Sequence, residues 1–184
     1  MKIKKFLISF IILFISNNIL LAEDRNRELN ELFDELKKNN SNSSFEIEQR
    51  IWEIWSTHPN NDKFTDLLAE GSKFINNQNF LKAEKIFTNL INLDPNWAEA
   101  WNKRATVLYM MGEFKRSQND INKVLELEKR HFGALAGEGL VNIELGNYEK
   151  ALNSYLRAME INPSMTSPKI MINEIKELIK KESI

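Results

Sequence analysis

MGEFKRSQNDI, Met111 to Ile121, reads as an ordinary surface helix until it is laid beside two other stretches of the same chain. NNQNFLKAEKIF, Asn76 to Phe87, and LGNYEKALNSY, Leu145 to Tyr155, fall into register with it. Aromatic residues recur at Phe80, Phe114 and Tyr148, and the step from the first to the second equals the step from the second to the third. Small residues follow at Ala83, Ser117 and Ala151, then bulky ones at Phe87, Ile121 and Tyr155. The register extends downstream through Leu90, Val124 and Ala158 to Leu93, Leu127 and Ile161. Upstream it takes in Leu67, Trp101 and Leu135, then Gly71, Ala105 and Gly139, then Phe74, Leu108 and Asn142.

The spacings inside each unit are helical. Leu67, Gly71 and Phe74 stand four and three apart, as do Trp101, Ala105 and Leu108, which places each set on one stripe of a helix. Ala83, Phe87 and Leu90 form the facing stripe of a second helix. Small residues at Gly71, Ala105 and Gly139 let two helix backbones approach. Gly112 and Gly146 sit just past a helix end, where a positive φ is needed. Pro95 and Pro163 close the first and third units, and Lys129 holds that place in the second. Trp101 reads as a packing residue within its unit, whose truncation costs on the order of 3–5 kcal/mol.

This pattern resembles the tetratricopeptide repeat (TPR) family, whose unit carries W-x2-L-G-x2-Y, then A-x3-F-x2-A and a closing Pro. The resemblance covers Phe64 to about Pro163 in three consecutive units, 64–97, 98–131 and 132–163. Departures are Glu70, Arg104 and Glu138 where the family has an apolar residue, Asn142 in place of the aromatic, and Lys129 in place of Pro. Asn142 is expected to loosen the third unit. The resemblance implies an all-α, right-handed solenoid of helix-turn-helix units with no strand and about nine helices, two per repeat.

Segments on either side extend the array. Residues 23–62 hold two amphipathic stretches, with Leu29, Leu32, Phe33 and Leu36 on one face of the first and Ile47, Ile51, Ile54 and Trp55 on one face of the second. Taking Pro59 as a closing Pro puts Ile47, Ile51 and Ile54 where Ala83, Phe87 and Leu90 fall, so the pair reads as a degenerate terminal unit. Its Trp52 and Trp55 are core residues or an exposed patch. Residues 164–184 supply a last helix, with Met171, Ile175 and Leu178 on one side, which caps the open end.

The opening stretch from Met1 to Ala22, MKIKKFLISFIILFISNNILLA, joins a basic start at Lys2, Lys4 and Lys5 to an apolar run from Phe6 to Ile15. Those are the parts of a secretory signal peptide ending at Ala22, with a retained membrane anchor as the alternative. The expected location is the periplasm after export, or the inner membrane through an uncleaved segment. Removing Met1 to Ala22 takes three Lys and no acid, moving the formal charge from −1 to −4.

Composition narrows the functional classes. With 25 Lys plus Arg against 26 Asp plus Glu, the chain has no basic excess for a phosphate backbone, which argues against nucleic acid as a partner. Cysteine is absent, so disulfides and thiolate chemistry are excluded. His58 and His131 stand far apart in sequence and form no ligand pair, so no metal or cofactor is expected. GALAGEG at Gly133 to Gly139 lacks the Lys-Ser/Thr end of a P-loop, and the repeat register puts it inside a helix. No nucleophile, base and oxyanion donor converge, and the expected protein is no enzyme.

The resemblance implies ligands on the concave surface made by the first helix of each unit. Carried over, that surface is Thr65, Leu68, Ser72 and Ile75, then Glu99, Asn102, Thr106 and Tyr109, then Gly133, Ala136, Leu140 and Ile143. The carboxylate clamp of chaperone-binding members is not supported, because only Asn102 is of a suitable type. An extended or helical segment with apolar side chains suits the groove, with Asn102 and Tyr109 as hydrogen-bonding groups. The implied function is an adaptor for a protein or peptide in the cell envelope. An accessory subunit held by its outer surface is the alternative, as is a groove filled by the protein's own terminal helices. Glu70, Arg104 and Glu138 share one position in successive units, which predicts an acid-base-acid ladder, with Asp120 as a further partner of Arg104.

Overall fold

The computed structural model describes residues 23–38 and 43–182. Among them are helices only: α1 (residues 23–37), α2 (Ser44–Ser56), α3 (Asp62–Asn76), α4 (Phe80–Leu93), α5 (Ala98–Met110), α6 (Phe114–Leu127), α7 (Phe132–Glu144), α8 (Tyr148–Ile161) and α9 (Thr166–Glu182). The stretch from Met1 to Ala22, read above as a signal segment, lies outside the described residues.

From α3 to α9 each helix packs on the one before it, giving three stacked hairpins and a lone final helix. The hairpin contact is a ring laid on a glycine. A Cβ on Gly71 would stand 2.5 Å from the Phe87 ring, and one on Gly139 2.5 Å from the Tyr155 ring. Phe87 and Tyr155 are themselves fully buried, so the absent methyl is what lets α3 close on α4 and α7 on α8. The middle hairpin uses Ala105, with the Ser117 hydroxyl donating to its carbonyl at 2.8 Å. Trp101 is half-buried between two core clusters and its Nε1 donates to the Pro95 carbonyl at 2.9 Å. That exposure lowers the cost of truncating it below the full-burial figure.

The turns repeat as strictly as the helices. Gly112 and Gly146 have φ of 76° and 72°, and the equivalent residue of the first unit, Gln78, has φ of 57°. Asn142 does not loosen the third unit. It is buried, and its Nδ2 donates to the Gln118 Oε1 at 3.0 Å and to the Glu138 carbonyl at 2.9 Å.

α9 continues the register, since Ile170, Glu174 and Glu177 fall one full repeat after Ala136, Leu140 and Ile143. It packs on α8 as a first helix packs on the preceding unit, burying Ile175 beside Tyr155. Where Trp101, Ala105 and Leu108 meet a second helix, α9 carries Lys169, Asn173 and Lys176, all exposed. The final helix therefore repeats the first-helix half of a unit, with polar residues at the positions that meet a second helix in the earlier units.

The N-terminal pair is not an additional unit stacked ahead of α3. Its apolar residues Leu29, Phe33, Leu36, Ile47, Ile51, Ile54 and Trp55 form one core with Phe132, and Ile161 and Met165 pack against it. Those partners start α7 and flank the α8–α9 turn, so the pair folds back across the later units. The apolar faces match the sequence pattern, but the surface they meet is different.

Alanine at Gly139 is expected to cost about 1–3 kcal/mol, the usual penalty of overpacking. Glycine at Gln78 removes a left-handed residue worth roughly 1 kcal/mol of strain and is expected to stabilise. Urea denaturation of both variants checks this pair of opposite signs.

Candidate functional site

The first helices present one continuous inner face. Asn102, Thr106 and Tyr109 of α5 and Gly133, Gly137 and Leu140 of α7 line a cavity of about 70 Å3 between the two helices. Along this face Leu68 and Asn102 are buried, Ser72, Ile75, Tyr109, Ala136 and Ile143 are half-buried, and Thr106 and Leu140 are exposed. The Ser72 and Thr106 hydroxyls each donate to the carbonyl four residues back, Leu68 at 2.9 Å and Asn102 at 3.0 Å. Both polar groups are thus satisfied within their own helices.

Half of the face is already occupied. Trp52 of α2 rests on Gly133, where a Cβ would lie 2.4 Å from its ring. Trp52 meets Phe132 and His131 edge-on at centroid distances of 5.3 and 5.4 Å, and Lys103 lies 6.0 Å over its ring. Trp55 stacks flat on His131 at 4.0 Å with 8° between the planes. At either end α2 is pinned by polar contacts: Asn162 Nδ2 donates to Glu48 at 2.9 Å, and Trp97 Nε1 donates to the Trp55 carbonyl at 2.9 Å. Trp52 and Trp55 are therefore core residues and not an outward patch. The helix covers the N-terminal ends of α5 and α7 and leaves their C-terminal halves open.

Beneath the indoles lies a buried charge. Glu99 and His131 are fully enclosed. Glu99 Oε2 receives His131 Nε2 at 3.1 Å and Asn102 Nδ2 at 3.0 Å, while the Lys103 ammonium pairs with Oε1 at 3.2 Å. His131 Nδ1 accepts from the Ala134 amide at 3.1 Å, capping α7, so the ring proton sits on Nε2 facing the carboxylate. Burial opposes charge on Glu99, yet the His131 hydrogen bond and the nearby Lys103 ammonium hold its carboxyl below the ordinary value. Asn102 is consumed by this network and is not free to orient a guest. Tyr109 is better placed: its hydroxyl is 3.5 Å from Glu144 Oε1, and burial followed by that carboxylate raises its pKa.

A family profile described as tetratricopeptide repeat matches residues 133–165. A TPR repeat-containing protein of Rhizobium etli is 29% identical over 165 residues, covering 86% of this chain and 80% of its own length. The chain has the tetratricopeptide repeat (TPR) fold. The first TPR domain of Spaghetti (RPAP3), bound to the HSP90 peptide SRMEEVD, superposes with a TM-score of 0.63 at 20% identity, over 65% of this chain and 94% of that one. The Yersinia enterocolitica type III secretion chaperone SycD, in complex with a peptide of the translocator YopD, superposes with a TM-score of 0.60 at 14% identity, over 68% of this chain and 99% of that one. Hsp70-Hsp90 organizing protein 1 of Glycine max is 27% identical over 145 residues, which span 78% of this chain but 23% of that protein.

In this TPR array the predicted ladder does not form along the first helices. Arg104 makes a bidentate pair with Asp120 at 2.7 and 2.8 Å and donates to Thr88 at 3.2 Å. Among the described residues no ion pair joins it to Glu70 or Glu138. Glu138 instead accepts from Ser154 at 2.9 Å and from Arg157 at 3.2 Å, and Glu70 is exposed. The reason is geometric: packed helix axes lie about 8–10 Å apart and a second helix stands between successive first helices. Each long polar side chain therefore reaches down to the second helices beside it. Of the expected partners, only Asp120 is in place.

Among the described residues no group of three or more His, Asp or Glu side chains could hold a metal ion, and no helix is long and apolar enough to cross a membrane. Sequence reasoning passed over Trp52, His131 and Gly137 as site residues. Gly133 carried a signal for the first two, being a glycine on the inner face where no partner helix of its own unit requires one.

Replacing Glu99 by Gln is expected to cost about 3 kcal/mol near neutrality, since it leaves the Lys103 and His131 protons facing a weaker acceptor in a buried site. Because the folded-state pKa is depressed, Glu99 contributes its full stabilisation above the unfolded value of roughly 4.3. That contribution disappears as pH falls through the lower folded value, so the gap between wild type and variant narrows in acid. Denaturant titrations across that range measure it.

Proposed function

We propose that this TPR protein is a non-catalytic adaptor that binds a protein or peptide segment in the part of its inner groove that α2 leaves open. The observation carrying the proposal is the contrast between the two halves of one face. Where α2 lies, its indoles cover Gly133, His131 and Phe132. Beyond it Thr106, Met110 and Leu140 are exposed beside a formed cavity. An apolar surface of this kind, bounded by satisfied polar groups, marks a binding site.

The partner differs in chemistry from the acidic peptide seen with the RPAP3 domain. Asn102 is bonded to Glu99, and Glu144 stands beside Tyr109, so the site offers no set of cations to an acidic terminus. The reading as an accessory subunit held by its outer surface loses the tryptophans that would have anchored it, since Trp52 and Trp55 face inward. Catalysis finds no support in the buried Glu99–His131 pair, which α2 seals from any substrate.

The adaptor is placed in the cell envelope on the sequence pattern of Met1 to Ala22, with a membrane anchor through that segment as the variant form. No cofactor, metal or nucleic acid enters the proposal.

A photo-crosslinking residue at position 106, compared with one at exposed Lys85 of α4, tests the groove in cells. Capture of a discrete protein from position 106, absent from position 85 and abolished by Leu140→Glu, is expected. Equal capture from both positions, or capture from position 85 alone, contradicts it.

A further inference from the structure

Three of the four glycines inside the repeat helices are explained by what presses on them. Phe87 lies on Gly71, Trp52 on Gly133 and Tyr155 on Gly139, each within 2.5 Å of where a Cβ would be. Gly137 has no such neighbour. A Cβ there would meet only Ile121 Cδ1, at an ordinary 3.7 Å. A glycine within a helix weakens it relative to alanine, so folding alone gives no reason for this one. What its missing side chain leaves is the cavity of about 70 Å3 bordered by Asn102, Thr106, Tyr109, Ile121 and Leu140.

Gly137 lies one helical turn beyond Gly133. At Gly133 the chain's own α2 shows how a segment in this groove binds, by pressing a side chain onto a bare stretch of α7. The open half continues that interface. Its charges are of one sign: Glu144, Glu174 and Glu177 are exposed at inner-face positions of α7 and α9. No Lys or Arg occupies the corresponding positions, Ser72, Ile75 and Asn76 of α3 and Thr106, Tyr109 and Met110 of α5. The neighbouring Lys103 is spent on Glu99 at 3.2 Å.

Building on the groove reading above, we propose that the pocket at Gly137 receives one short aliphatic side chain of a partner segment whose flanking residues are Lys or Arg. The cavity of about 70 Å3, opening beside the exposed Thr106 and Leu140, suits a short aliphatic side chain such as Val or Leu. Glu144 beside Tyr109, with Glu174 and Glu177 farther along the inner face, draws a basic segment in and turns an acidic one away.

The test uses the full chain and fluorescein-labelled dodecapeptides of alanine with Val, Ala or Trp at the centre and Lys, Gln or Glu on either side, measured by anisotropy. The Lys-flanked Val peptide is expected to bind best, with roughly tenfold loss for the Ala centre and loss of binding with Glu flanks. Gly137→Val should weaken the Val peptide by roughly tenfold or more. Gly137→Ala should weaken it too while raising Tm, which separates a filled pocket from a damaged fold. Unchanged affinity in both variants, equal binding of Glu-flanked peptides, or no binding by any peptide overturns the proposal. If binding survives Gly137→Val but is lost on Leu140→Glu, the pocket is refuted while the groove stands. If binding ignores Leu140→Glu as well, the groove reading fails with it.

Discussion

Trp55 lying flat on His131, with Trp52 seated on Gly133 beside it, is the contact on which the shape of the inner face depends. The three hairpins would make an open trough on their own, its floor lined by Leu68, Asn102, Ala136 and their neighbours. Two indoles convert that trough into a closed half and an open half. The conversion is built to last: Phe33, Leu36 and Ile51 are buried to the same degree as the repeat core, and the histidine under the indole is held by a buried carboxylate. Aromatic pairs at such distances add about 0.5–1.5 kcal/mol each beyond the apolar area they bury. The N-terminal helices are thus part of the binding surface's architecture and not a detachable strap.

A buried Glu99 would be a liability without partners, since its desolvation costs several kcal/mol. Three groups from the same neighbourhood offset that cost: one from the start of α7 and two from its own helix. The arrangement ties the entry of α7 to α5 at the place where the indoles dock. Charge, cap and ring stack support one another there, and this explains why the groove's polar floor is unavailable to a guest.

How much of this could be read beforehand follows from symmetry. The array was legible because translation by one unit repeats the same contacts, so Phe87 and Tyr155, Gly71 and Gly139, and Gly112 and Gly146 declare themselves by spacing. The fold-back of α1 and α2 was not. An amphipathic pattern states which side of a helix is apolar but not which surface receives it, and Pro59 fitted the repeat register well enough to suggest a fourth stacked unit. Arg104 shows the same limit on a smaller scale. Its position in the repeat was plain, while its choice of Asp120 over Glu70 and Glu138 depends on which helices stand between them. Within the groove the twelve inner positions were nameable, but Asn102 was already engaged and Gly137 was read only as part of a helix.

The division of the inner face requires the N-terminal helices to cross the later repeats, and nuclear Overhauser contacts from the Trp52 indole test it directly. Cross-peaks to the Gly133 α-protons and the His131 ring, with the Gly133 α-protons shifted upfield by the ring current, are predicted. Contacts from Trp52 to α3 in their place, with Gly133 unshifted, would mean that the pair stacks as an ordinary terminal unit and that the whole inner face is open.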